Sequence, residues 1–164
     1  MQLHGLIHQF PKEIKILIIA FITVLSIGFY GGLRFVNSTT AMQTSGIESH
    51  YLGNENDEDA EIMQFKKSER EILTVVHNHI LSLSIIFFLL SLIVSTTSLP
   101  KKLKYFLMIE PFFSIVFTFG GIYFLWSGIL WFKYIIIISG VFMTLSFVGG
   151  TLSIIYQLLF SKKI

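Results

Sequence analysis

Cysteine is absent from the 164 residues. Its absence excludes disulfides, CxxC redox chemistry, iron–sulfur ligation and c-type haem attachment. Histidine, carboxylate and methionine remain as possible ligands. Charge is scarce too. Asp, Glu, Lys and Arg make up 13% of the chain against 53% hydrophobic residues, and mean hydropathy is +0.72. Soluble domains carry about 25% charged residues, so this chain has too few to coat a water-soluble globule. Composition excludes a nucleic-acid-binding, disordered or disulfide-rich secreted protein. It points to one integral membrane domain. No Gly-rich phosphate loop, nucleophile elbow or HExxH is present either, which removes the common nucleotide and hydrolase signatures.

What the chain does have is four apolar runs: Ile16–Leu33, Ile80–Ser98, Tyr105–Trp126 and Tyr134–Phe160, of 18 to 27 residues. A helix needs about 20 apolar residues to cross a bilayer core. A barrel would show alternating segments of about ten residues instead. The expected fold is therefore all-α, an up-down four-helix membrane bundle. Its spans are expected at about 14–34, 69–97, 105–126 and 132–160, with one long outer loop over 35–67. The first run lacks an A-x-A-type cleavage site and reads as a retained helix.

Basic residues predict the orientation. Lys12, Lys15, Lys101, Lys102, Lys104, Lys162 and Lys163 share one side with a single acid, Glu13, for a net +6. Arg34, Lys66, Lys67, Arg70 and Lys133 share the other side with eight acids, for a net −3. Both termini are thus expected in the cytoplasm of a cell whose inner membrane holds the protein. Trp126, Trp131 and Tyr134 form an expected aromatic belt on the outer side. The acidic tract Asn54–Glu61 lacks the Gly and closing Glu of a calcium loop and reads as solvated.

Ser68-Glu69-Arg70-Glu71 fits a capping box, which starts the second helix ahead of its apolar run. That places His77 and His79 near the outer boundary. Two residues apart, they sit about 200° around a helix and cannot both chelate one ion. With His50 from the loop they make an outer histidine group. Its functional reading is a haem b or metal site, since imidazole suits iron, copper and zinc. The plainer reading is interfacial histidines that satisfy polar groups. The other spans hold no histidine, so a bis-His haem buried in the bundle is excluded.

Glu110, immediately before Pro111, is the one acid inside the four apolar runs. Intramembrane acids are costly and face a bundle interior or a water-filled site. The functional reading is a proton or cation site; the plainer one is pairing with Lys101, Lys102 or Lys104. Gly28 and Gly32 form a GxxxG. With Gly120, Gly121, Gly140, Gly149 and Gly150 they are expected to let helices approach closely.

The stretch Gly46-Ile47-Glu48-Ser49-His50-Tyr51-Leu52-Gly53, then Phe65-Lys66-Lys67-Ser68-Glu69-Arg70-Glu71 and His77-Asn78-His79, carries a resemblance. It is similar to an uncharacterised family of small four-helix bacterial inner-membrane proteins. Their pattern is G-I-x-x-H-Y-x-G, F-x-K-S-x-x-E-L-L and T-H-x-H. Ile72 replaces the usual Leu and Val76 the usual Thr. The resemblance places His50, Tyr51, Glu71, His77 and His79 on the outer side.

The leading expectation is a non-enzymatic membrane subunit serving electron transfer or assembly of a respiratory-type complex. His50, His77 and His79 would bind haem b or a metal ion, with Tyr51 and Glu71 orienting them. The alternatives are a cofactor-free accessory subunit, or a small oligomeric transporter or proton-coupled protein using Glu110. Its partners would be the lipid bilayer and other membrane subunits or further copies of itself.

Overall fold

The computed structural model describes residues 3–55 and 62–160, so residues 56–61 of the acidic tract, and Lys162 and Lys163, lie outside the described residues. Its helices are α1 (Lys12–Thr40), α2 (Thr44–Leu52), α3 (Glu69–Ser95), α4 (Lys101–Ile115), α5 (Gly121–Trp126) and α6 (Phe132–Leu159). A π turn, Val116–Gly120, joins α4 to α5, and the two make one span. Among the described residues, four helices are thus long and apolar enough to cross a membrane. The fold is all-helical among the described residues.

α1 begins directly after Pro11, whose fixed φ suits a helix start. It continues through Asn37, Ser38 and Thr39, well past the end expected near residue 34. The hydroxyls of Ser38, Thr39 and Thr40 donate back to the carbonyls of Phe35 or Val36, so the helix satisfies its own polar side chains. The chain then reverses at Ala41 and Met42, both left-handed (φ 50° and 53°). α2 follows, inside the segment expected to be loop. It packs back so closely that a Cβ on Gly46 would lie 2.0 Å from the Thr40 carbonyl oxygen. Only glycine permits that approach.

α3 starts with the expected capping box. Ser68 Oγ accepts from the Glu71 N–H at 3.4 Å, and the Glu71 carboxylate accepts from the Ser68 N–H at 2.8 Å. α3, α4–α5 and α6 form the packed core. Phe87, Leu90 and Val94 of α3 meet Ile115, Ile122, Leu125, Phe147 and Ile154, all buried. Gly121, Gly149 and Gly150 lie against Ile136, Leu107 and Val94, as small residues at helix contacts should. Gly28, Gly32, Gly120 and Gly140 do not: a Cβ there would meet nothing within 4 Å. The expected close approach through Gly28 and Gly32 is absent within this chain, because α1 barely joins the core. Its one ring stack is Phe29 on Phe147, 3.9 Å between centroids.

The two ends of the bundle are tied differently. At one end, a short 3₁₀ turn (Leu6–Gln9) inserts the fully buried Ile7. Its backbone donates from Ile7 to Thr96 O (3.1 Å) and from Gly5 to Thr97 O (3.3 Å). Ser98 N–H donates to Gln157 Oε1 at 2.7 Å, which draws in the end of α6. At the other end, α2 and the segment that leads into α3 form a cap over the α5–α6 turn. Trp126 Nε1–H donates to Lys67 O (2.8 Å), and Lys133 pairs with Glu48 (2.5 Å). Lys66 sits 5.1 Å above the Trp126 ring.

Candidate functional sites

The histidines expected on the outer side lie in α2 of the cap (His50) and in the first three turns of α3 (His77 and His79). His50 is near the end of α2, with its ring edge-on to Tyr51 at 4.8 Å. Burial, then the positive charge of Lys67, hold the His50 imidazole below its ordinary value. It is therefore neutral around neutral pH, the form that coordinates metal. Burial also pushes the Tyr51 phenol up to about 12, so it stays a hydrogen-bond donor.

His79 lies nearly three turns into α3 from the helix start. Its ring stacks on Phe119 of the π turn, 4.6 Å between centroids. Its Nδ1 lies 2.8 Å from the Val75 carbonyl oxygen. A carbonyl can only accept, so Nδ1 carries a proton, and in the neutral ring the lone pair is then on Nε2. That is the tautomer and orientation found in ligating histidines whose other nitrogen donates to a backbone carbonyl. His77 points elsewhere, into an open groove on α3 beside Glu69, Arg70, Leu73 and Thr74. Glu71 is engaged with Ser68, both N–H and hydroxyl. Among the described residues, no three His, Asp or Glu side chains converge closely enough to hold a metal ion. A closed structural zinc site needs four ligands. A haem iron needs one or two axial ones.

The second polar site is inside the bundle. Glu110 does not reach Lys101, Lys102 or Lys104. Lys104 instead donates to the carbonyls of Ser95 (3.1 Å) and Thr97 (2.5 Å) and lies 3.3 Å from His4 Nδ1. Ser114 Oγ–H donates to Glu110 Oε1 and Ser146 Oγ–H to Oε2. Both serines are buried. Ser114 is one turn along the same helix face. Ser146 is across the bundle, at the middle of α6. One layer towards the cap, Thr118 and Ser139 are buried and bonded at 2.7 Å. Ser139 donates to Ile135 O at 2.7 Å, so Thr118 is the donor of that pair. A charged acid at the centre of a spanning helix costs about 3 kcal/mol on insertion scales, so an acid placed there needs partners.

The serine pair was not singled out in the sequence. Glu110 and Ser114 at i, i+4 was a visible signal. Ser146 gave a fainter one, as a lone hydroxyl among apolar neighbours. Pro111 sits inside α4, and the π turn follows five residues later. Proline removes a backbone donor from the ladder, and such wide turns occur often at functional sites.

Residues 41–164 match a family model described as a transmembrane helical domain. The chain belongs to that family. The match begins directly after α1. No curated protein and no solved structure matches the chain.

Proposed function

From membership of a transmembrane helical domain family, we propose that the protein is a non-enzymatic subunit of a bacterial inner-membrane assembly that binds haem b at its extracytoplasmic cap. Both termini would lie in the cytoplasm, following the basic residues. The observation that carries the haem reading is His79. Its Nδ1–H is fixed on Val75 O, its Nε2 is free, and its ring is held against Phe119. His50, kept neutral by burial, is the available second imidazole. The lack of a three-ligand cluster among the described residues favours a haem over a closed metal centre. The role that follows is electron transfer in, or assembly of, a respiratory-type complex.

The test is direct. Purify the full chain in mild detergent from iron-replete cells, record the visible spectrum and analyse metals. A haem Soret band is expected, lost in His79→Ala and retained in His77→Ala. A colourless, metal-free preparation overturns the proposal. One observation favours the cofactor-free accessory subunit instead. The hollows on α3, beside His77, and on α2, beside Glu48, are open surface grooves. That reading is the one a colourless preparation would leave.

A further inference from the structure

The site around Glu110 is independent of the histidines, and no property of the cap explains it. Its carboxylate sits part-way along a helix long and apolar enough to cross a membrane, and the residue is half-buried. Its two oxygens are each met by a neutral hydroxyl, Ser114 and Ser146. No cation pairs with it; among the described residues the one ion pair is Lys133–Glu48. The elements packed on α4 hold their titratable groups away from this layer: Glu69, Arg70, Glu71, His77 and His79 on α3, and Lys133, Tyr134 and Tyr156 on α6. α3 has no titratable side chain from Ile80 to Ser95, and α6 has none from Ile135 to Ile155. On its own span the nearest titratable groups are Lys104 and Tyr105 on one side and Tyr123 on the other. Lys104 is committed to backbone carbonyls and His4 at the bundle end.

A carboxylate in that setting has two ways to lose its charge: a bound cation or a proton. Small hard cations want about six oxygen ligands. Here the carboxylate has two hydroxyl partners, too few for such a shell. A proton needs only one acceptor. On protonation the new O–H of Glu110 can donate to Ser146 Oγ, and the Ser146 hydroxyl can turn to a backbone carbonyl one turn back in its own helix, so no added ion or ligand is needed.

We propose that Glu110, with Ser114 and Ser146, is a proton-binding site inside the membrane, placed on the α4–α6 contact so that its occupancy is felt by both helices. The π turn that follows, and the Thr118–Ser139 pair beside it, continue the polar path towards the cap.

A hydrophobic carbodiimide tests this, because it reacts with protonated carboxyls in apolar surroundings. Reconstitute the full chain in phosphatidylcholine–phosphatidylglycerol vesicles, treat with dicyclohexylcarbodiimide and locate the adduct by peptide mass spectrometry. The adduct is expected at Glu110, falling several-fold as pH rises and unchanged by sodium chloride. Ser146→Ala removes one donor to the ionised form, so its labelling should persist to higher pH. Glu110→Gln keeps the hydrogen-bonding shape, and its circular dichroism spectrum should match wild type while the adduct disappears. No adduct at Glu110 in folded protein, an adduct indifferent to pH, or protection by sodium ions would each overturn the proposal.

Discussion

α1 and the α4–α5 span are both apolar enough to enter a bilayer, yet they do different jobs. Within its most apolar window, 11% of α1 is buried against the rest of the chain, compared with 39% for Lys101–Trp126. α1 shows Val24, Ile27 and Gly28 to the outside. The α4–α5 span carries Glu110, Ser114, Thr118 and the π turn inwards. The family match covers the second and omits the first. The comparison teaches that hydropathy determines whether a helix enters the membrane, whereas polar and small residues determine what it packs against. Lipid tails are as apolar as leucine, so apolar surface alone drives no association there.

The sharpest way to break this comparison is to truncate one side chain of the packed core, on α3 against which α4 packs, and one on α1. Phe87→Ala removes a ring that is 1% exposed and edge-on to Phe147. It should cost about 3 kcal/mol. Val24→Ala on α1 should stay within about 0.5 kcal/mol. Unfolding in mild detergent, followed by temperature or denaturant, measures both. Equal losses would show that α1 is as much part of the core as α3.

Glycines give the next test. Gly46→Ala forces a methyl onto Thr40 O and should cost about 2 kcal/mol through overpacking at the α1–α2 corner. Gly28→Ala meets open space and should be neutral or slightly stabilising, since alanine favours helix. A strong loss at Gly28 would reveal a partner seated on α1. The start of α3 is smaller in effect. Ser68→Ala removes the N-cap hydroxyl and should cost about 1 kcal/mol, read as faster amide exchange in the first turn of α3.

The smallest expected effect is a pH dependence confined to the cap. The His50 imidazole is held below its ordinary value of 6.5, so folding favours its neutral form. Its stabilising contribution is complete above that value and is lost as pH falls below it. The protection of α2 amides, taken relative to the intrinsic exchange rate at each pH, should therefore fall on acidification below about 6.5, and His50→Gln should abolish that change. A pH-independent α2 would place His50 in ordinary solvent.

Much of the architecture was legible because the bilayer leaves so few options. The apolar runs gave the four spans, and Ser68 with Glu71 gave the start of α3. The α2 helix was not legible. Its nine residues have no strong apolar stripe, and it is held by Gly46, Ile47 and the Glu48–Lys133 pair, which are tertiary contacts. Glu110 was visible as a lone acid, but its partners were misread. The nearby lysines looked available in sequence, yet Lys104 is taken by the carbonyls of the α3–α4 turn. Ser146 lies thirty-six positions away and only helix packing brings it in. The histidines were visible as a group, but helix geometry gives each its own surroundings: Tyr51, the α3 groove and Phe119.

The central claim is a membrane bundle with a cap at one end and the N-terminal turn, the α3–α4 turn and the end of α6 at the other. The natural absence of cysteine makes it directly testable. Place single cysteines by Ser45→Cys in exposed α2 and Lys102→Cys at the start of α4, then treat intact cells with a membrane-impermeant maleimide. The account predicts labelling of the α2 site in intact cells and of the α4 site only after permeabilisation. Labelling of both sites from the same side would contradict it.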